Sequence, residues 1–442
     1  MLALVLAASA ALAPLQVSAG EIARFPELGL ELTLPAIELD EQRSESGQRK
    51  ALWRGELEDC EVEIALIALA RAEFHLAEPE DVTELIEENV RGKDEPGFQF
   101  RERQLVAGPF GWVPYASLCA GELRAKDGSV AGSILVLGGL QESQAYVLEI
   151  RTSPAAGDAI RAPLREVLGK GVRCTGPVRD SKWTDEELGA RWSEFSPPDA
   201  IEKFEKPVRT EHYVVLSNSP GAKSFSKKME ECYATIRKIY PFDEVAGRRL
   251  MPVFLFRTAD QYYAYFAKIA EVSLEEAQRS KGHAWRDYYA TWYEAPNDPV
   301  HIHEGTHQVF ASRLRLHGGG SWFQEGVAEY VESRPNDRNE IARIVKEGQH
   351  VPLEKFVAIE SLIGVEEDVR GGGGASDNYK QAALLIEFLR ESEFGKTRFP
   401  LFLQRVGRLP EKEPALEETL REIYGVDLAG LDAEFVRYCK KR

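Results

Sequence analysis

The stretch that decides how this chain is read is HIHEGTHQVF, residues 301–310. Within it His303, Glu304 and His307 form an H-E-x-x-H motif. On a helix, residues four apart share a face, so both imidazoles can reach one metal ion while the carboxylate beside them meets a water held there. The chain has 8 His in 442 residues. At that density the H-x-x-x-H spacing arises by chance about 0.14 times per chain, and an acid beside the first His lowers this to about 0.02. Context has to decide between a site and an accident.

The surrounding residues favour a site. Asp298 suits an N-cap and Pro299 the first helical position, which predicts a helix running to about Leu316 and ending at Gly318-Gly319-Gly320. Ser321 with Gln324 reads as a capping box, so a second helix is expected from Trp322, with Glu325 one turn in. Two antiparallel helices joined by a glycine turn would then bring His303, His307 and Glu325 to one gap. Zinc suits that set, because two His and one Glu with an open fourth position is a catalytic arrangement. A three-histidine site of the metzincin kind needs a His six residues after His307, and Arg313 stands there. His317 and His301 lie at other angles around the helix and are expected on the surface or behind the ligands.

HEGTH followed by Trp322-Phe323-Gln324-Glu325-Gly326-Val327-Ala328-Glu329-Tyr330 resembles the gluzincins. More narrowly it resembles the bacterial peptidase MA-like proteins, and more distantly the zinc aminopeptidases. The likeness covers about 206–442 and implies a mixed α/β zincin-like metallopeptidase domain with a helical C-terminal part. It implies Zn²⁺ on His303, His307 and Glu325, with Glu304 as general base. Glu329 is similar to the family's acid that accepts a ligand imidazole N–H and fixes its tautomer. Tyr379, opening a helix after Gly371–Gly374, is the candidate donor to the oxyanion, a role that gluzincins often give to a downstream Tyr or His. His283, Tyr288 and Tyr289, in the aromatic run 282–293, are expected to line a substrate groove where a peptide adds as an extra strand. The chain lacks the GxMEN-like element with which aminopeptidases hold a free N-terminus, so exopeptidase action has no support.

The rest of the chain frames this expectation. A length of 442 residues with 43% hydrophobic content predicts two globular domains. A net charge of −17 with no basic block argues against nucleic acid and anionic lipid as partners. Residues 1–19 resemble a signal peptide, an apolar stretch ending in small residues, which predicts export to the periplasm, cell envelope or exterior. That stretch is too short to span a bilayer comfortably, and no later segment reads as a membrane helix.

Residues 20–178 read as an α+β domain, an antiparallel sheet with two helices near 79–90 and 157–168. The order of elements loosely resembles Mog1/PsbP-like modules. His75 falls in a strand-like stretch and is read as structural. Residues 179–205 read as a linker with one short helix capped at Thr184. Cys60, Cys119, Cys174, Cys232 and Cys439 are dispersed, which excludes a thiolate metal site. Disulfides within 60/119/174 and between 232 and 439 are compatible with their spacing, as are buried free thiols.

The leading expectation is an exported zinc-dependent peptidase acting on peptide or protein substrates. A non-catalytic binding or envelope-interaction protein on a zincin scaffold is the other class. An intact Glu304 argues against it, because a scaffold needs no general base.

Overall fold

The computed structural model describes residues 19–442 apart from 45–46, 58, 94–97, 109, 112, 155–163, 166–167, 169, 176–181, 286, 294, 296, 363–374 and 410–414. Residues 1–18 of the expected leader, most of the expected helix at 157–168 and the Gly371–Gly374 loop lie outside the described residues. The chain divides into two units. The first runs to Lys182 and takes in Asp243–Arg248; the second comprises Trp183–Phe242 and Arg249–Arg442.

In the first unit, β1 (Ala19–Phe25) and β2 (Leu30–Pro35) precede β3 (Leu39–Arg43), β4 (Arg49–Leu57) and β5 (Cys60–Ala70). Helix α1 (Pro79–Lys93) leads to β6 (Glu102–Ala107), β7 (Tyr115–Arg124), β8 (Val130–Leu140), β9 (Gln144–Thr152) and β10 (Val172–Cys174). Seven of these strands form an antiparallel sheet in the order β3-β4-β5-β9-β8-β7-β6, and β1-β2-β10 form a separate sheet of three. The period of two along β8 divides the interior. Ile134 and Val136 pack with Val82, Ile86 and Val90 of α1, whereas Leu135 and Leu137 pack with Trp53, Leu66 and Ile150 on the opposite face.

Two expectations change in this unit. His75 sits in a turn, closed by the Leu76 N–H on Arg71 O at 3.0 Å, with φ of 54°, and not in a strand. The sequence does not signal β3 and β4, because RKALWRGEL mixes charged and apolar residues without clean alternation, burying Ala51, Leu52 and Trp53 in succession. Of the alternatives for the cysteines across both units, free thiols are realised, with Cys60, Cys119, Cys232 and Cys439 buried.

The second unit begins with the stretch read as a linker. It is not a linker in this fold: α2 (Asp185–Phe195), with the expected capping box at Thr184, docks on the sheet of this unit. Its Trp192 is fully buried and stacks on Phe254 at 6.1 Å and Phe204 at 5.1 Å. Trp192→Ala is expected to destabilise this unit by about 3–5 kcal/mol, read from its denaturant transition. A loss below about 1 kcal/mol would mean that α2 is not an integral part of the fold.

The sheet runs β11 (Val208–Arg209), β12 (Tyr213–Ser217), β13 (Met251–Phe256), β15 (Tyr288–Trp292) and β14 (Gly282–Trp285) across its width. β12, β13 and β15 are parallel, and β14 returns antiparallel to β15 at the margin. Helix α3 (Ala222–Ile239) follows β12 and α4 (Ala259–Ala270) follows β13, which makes the crossovers that parallel strands require. Every residue of β12 and β13 is buried, as expected for strands covered on both faces.

Four helices build the side of this unit that carries the motif: α5 (Val300–Val309), α6 (Ser321–Glu332), α7 (Pro335–Lys346) and α8 (Ala375–Glu391). α6 and α8 approach closely at Gly326. A side-chain Cβ there would stand 3.0 Å from Ile386 Cγ1 and 3.1 Å from Ala382 O. No helix among the described residues is long and apolar enough to cross a membrane.

Candidate metal centre

The motif helix starts much as the sequence suggests. Asp298 Oδ1 accepts the Val300 N–H at 3.1 Å, so an otherwise unpaired amide of the first turn is satisfied. The helix exits differently from expectation. α5 gives way to a π-helical turn, Phe310–Leu314, closed by Arg315 in the left-handed region at φ 57°. Gly319 and Gly320 then take φ of 84° and 78°, values that L side chains rarely adopt, and the chain reverses.

The expected capping box at Ser321 is absent. With Gly320 at the cap position, Ser321 is already helical, and its hydroxyl accepts the Leu362 N–H at 3.0 Å. The Gln324 amide instead donates to Leu316 O at 3.1 Å and Gly318 O at 2.6 Å, holding the turn together from inside.

This hairpin of helices brings three donor atoms to one point. His303 Nε2 lies 3.2 Å from His307 Nε2 and 3.2 Å from Glu325 Oε2, and His307 Nε2 lies 3.5 Å from Glu325 Oε2. Ligands about 2.0–2.1 Å from a tetrahedral ion stand about 3.4 Å apart, so the donor set fits zinc without rearrangement. The electrostatics agree. Burial disfavours a charged His303, yet its hydrogen bonds to Glu325 and Glu332 and the charge of Glu304 hold its pKa well above the usual value. Burial likewise opposes the Glu325 charge, but His303 and His307 outweigh it and hold the carboxyl at about 2. The cluster favours positive charge at this point, whether proton or metal.

His303 is oriented from behind by Glu332, which the motif does not mark. Its Nδ1 is 2.8 Å from Glu332 Oε2, which leaves Nε2 to face the other donors. Glu329, the residue expected in that position, belongs to the same cluster but makes no hydrogen bond to the ring among those described. Burial, then the neighbouring Glu332 charge, raise the Glu329 carboxyl to about 7. Glu325, Glu329 and Glu332 follow the i, i+4, i+7 spacing of one helical face, and that spacing was the available signal for Glu332.

Glu304 faces the same opening. Its Oε2 accepts the backbone N–H of Ala284 in β14 at 2.8 Å, which ties the carboxylate to the marginal strand of the sheet. A cleft of about 750 Å³ runs along that strand and is lined by His303, Glu304, His307, Glu325, His283 and Tyr379, among others. Tyr379 stands in the first turns of α8, its ring 6.3 Å from that of His303. Burial, followed by the charges of Glu325 and Glu304, raises its phenol, so it stays protonated as a donor.

The other expected groove residues separate. His283 lines the cleft, whereas Tyr288 and Tyr289 do not. Strand alternation sends them into the cores on opposite faces of the sheet, Tyr288 against Phe254 and Tyr289 beside Phe225. Tyr289 has a different task, with its hydroxyl 2.9 Å from His301 Nδ1. His301 is buried, with Nε2 2.9 Å from Ala295 O, and so pins the loop before the motif helix. His317 lines the cleft.

No family model matches the sequence, and no curated protein matches it. Among solved structures, cyanobacterial PsbP from Synechocystis is similar over 35% of this chain and 91% of its own, at 11% identity and a TM-score of 0.27. The M1 zinc metallopeptidase from Deinococcus radiodurans is similar over 76% of this chain at 13% identity and a TM-score of 0.29, and 62% of its own length is spanned. A two-domain M1 zinc metallopeptidase variant bound to L-arginine is similar over 76% of this chain and 91% of its own, at 10% identity and a TM-score of 0.32. Likeness at this level assigns no residue a role, and the donor geometry stands by itself.

Proposed function

We propose that this chain is an exported zinc-dependent peptidase that hydrolyses peptide bonds in the cleft beside β14. The observation that carries the reading is the convergence of His303, His307 and Glu325 donor atoms within 3.5 Å, with Glu304 held at the same opening. Zinc, when bound by those three residues, supplies a Lewis acid for the scissile carbonyl and makes water acidic near neutral pH. Glu304 takes the proton from the attacking water and delivers it to the leaving amine. The Ala284 amide keeps the Glu304 carboxylate turned toward the cleft, so little orientation has to be found at the moment of reaction. Tyr379 donates its phenolic proton in a hydrogen bond to the oxyanion as charge develops there.

The substrate adds as an extended strand beside β14, the marginal strand of the sheet, where the Ala284 N–H is held by Glu304 and Gly282 O accepts the Ser280 hydroxyl. That mode selects for an extended peptide, with side chains alternating between the two walls of the cleft.

Removal of the metal tests the reading. Dialysis against a chelator is expected to abolish cleavage of a diverse peptide library, and one equivalent of zinc is expected to restore it. Full cleavage by the metal-free protein, or none by the zinc-loaded protein, would overturn the assignment.

A further inference from the structure

The formal charge of −17 makes most of the surface repel anions. The segment that enters β14 departs from this. Arg279 and Lys281 both line the cleft, spaced by two residues from each other and from His283. The Arg279 side chain is exposed, and its guanidinium makes no hydrogen bond among the described residues. Lys281 Nζ is loosely paired, 3.6 Å from Asp298 Oδ2, and retains donors for another partner.

Glu276, also on the cleft wall, interacts through its charge with Arg279, but its carboxylate is hydrogen-bonded elsewhere. Its Oε2 accepts from the Ser273 N–H at 2.9 Å and the Ser273 hydroxyl at 2.7 Å, in the capping box of a short helical turn. His283 offers a further polar atom. Its ring lies 4.8 Å from Phe266 and 5.6 Å from Trp285, and its Nε2 is buried without a hydrogen-bond partner. A buried imidazole nitrogen without a protein partner on a cleft wall is a position that a ligand can fill.

We propose that Arg279, Lys281 and His283 form a subsite for a substrate carboxylate, so that the enzyme prefers acidic peptides; this rests on the peptidase reading above. A carboxylate there gains charge-assisted hydrogen bonds from groups the protein otherwise leaves underused. It also meets the one cationic stretch of the cleft wall among the described residues, while the acidic remainder of the surface steers such peptides away from unproductive contacts. Two sources offer the same chemistry: an Asp or Glu side chain, and a free C-terminus.

The test measures binding of three fluorescent hexapeptides to zinc-loaded Glu304→Gln protein, which keeps the cleft and does not consume the probe. One peptide carries an internal Glu and an amidated C-terminus, one is neutral with a free C-terminus, and one is neutral and amidated. At least one carboxylate peptide is expected to bind about fivefold tighter than the neutral amidated one, with the advantage shrinking as salt is raised. The arm that gains identifies the source. Adding Arg279→Glu is expected to erase or reverse the ratio, while zinc content reports that the site is still folded. Equal binding of all three peptides, or a preference that survives Arg279→Glu, would overturn the subsite. Hydrolysis by protein with Glu304 intact is read in parallel. A carboxylate preference in binding without cleavage by that protein would leave the subsite standing and sink the peptidase reading alone.

Discussion

Glu304→Gln is expected to lower peptide hydrolysis by about 10²–10⁴-fold, with zinc remaining stoichiometric. The amide oxygen of Gln can still accept the Ala284 N–H that holds Glu304 at 2.8 Å, so the side chain keeps its position. What it loses is the ability to take a proton from water and return it to the leaving amine. Glu304 is also not among the three converging donors, so metal affinity should change little. The measurement is kcat/KM on a cleaved library peptide, with metal content determined on the same sample. Retained turnover within a few-fold of the wild type would remove Glu304 from the chemistry.

Glu332→Ala is expected to weaken zinc binding by about 10–100-fold, as loss of the acid behind a metal-binding imidazole typically does. The reason is geometric. Glu332 holds His303 Nδ1 at 2.8 Å, and without it the ring is free to rotate and to exchange tautomers. Glu329→Ala should weaken binding less, because that carboxyl makes no described hydrogen bond to the ring and is raised to about 7 by burial and by Glu332. Competition titration against a chelator measures both. If Glu329→Ala costs as much affinity as Glu332→Ala, the acid behind His303 has been misidentified.

The contrast between these two glutamates illustrates what the sequence could carry. Spacing alone brings His303, His307 and Glu325 together, since helical periodicity and a glycine turn are local properties. The choice between Glu329 and Glu332 depends on how α6 is rotated against α5, and rotation is decided by packing on other helices. The aromatic run 282–293 failed in the same way. Its composition suggests one extended groove wall, but the chain folds back near Asp287 into β14 and β15. Tyr288 and Tyr289 thereby belong to the inner strand and its two cores, and the cleft is left to β14. The Ala284 amide on Glu304 could not be read at all, because a backbone contact between distant segments leaves no residue signature. Ser321 misled for a local reason: a glycine with positive φ just before it starts the helix one residue earlier than a serine cap would.

Gly326 bears on the rigidity of the cleft. α6 carries Glu325, α8 carries Tyr379, and the two helices meet where a Cβ would come within 3.0 Å of Ile386 Cγ1. Backbones seated that closely do not slide past one another without losing contact along their shared face. Glu325 and Tyr379 are therefore held as one block, at a separation that the packing of α6 on α8 fixes. The marginal strand β14, with its exposed Trp285, takes no part in that contact and is held to β15 and to Glu304 instead. For the proposed chemistry this means that one wall of the cleft, the one built by α6 and α8, is a rigid frame.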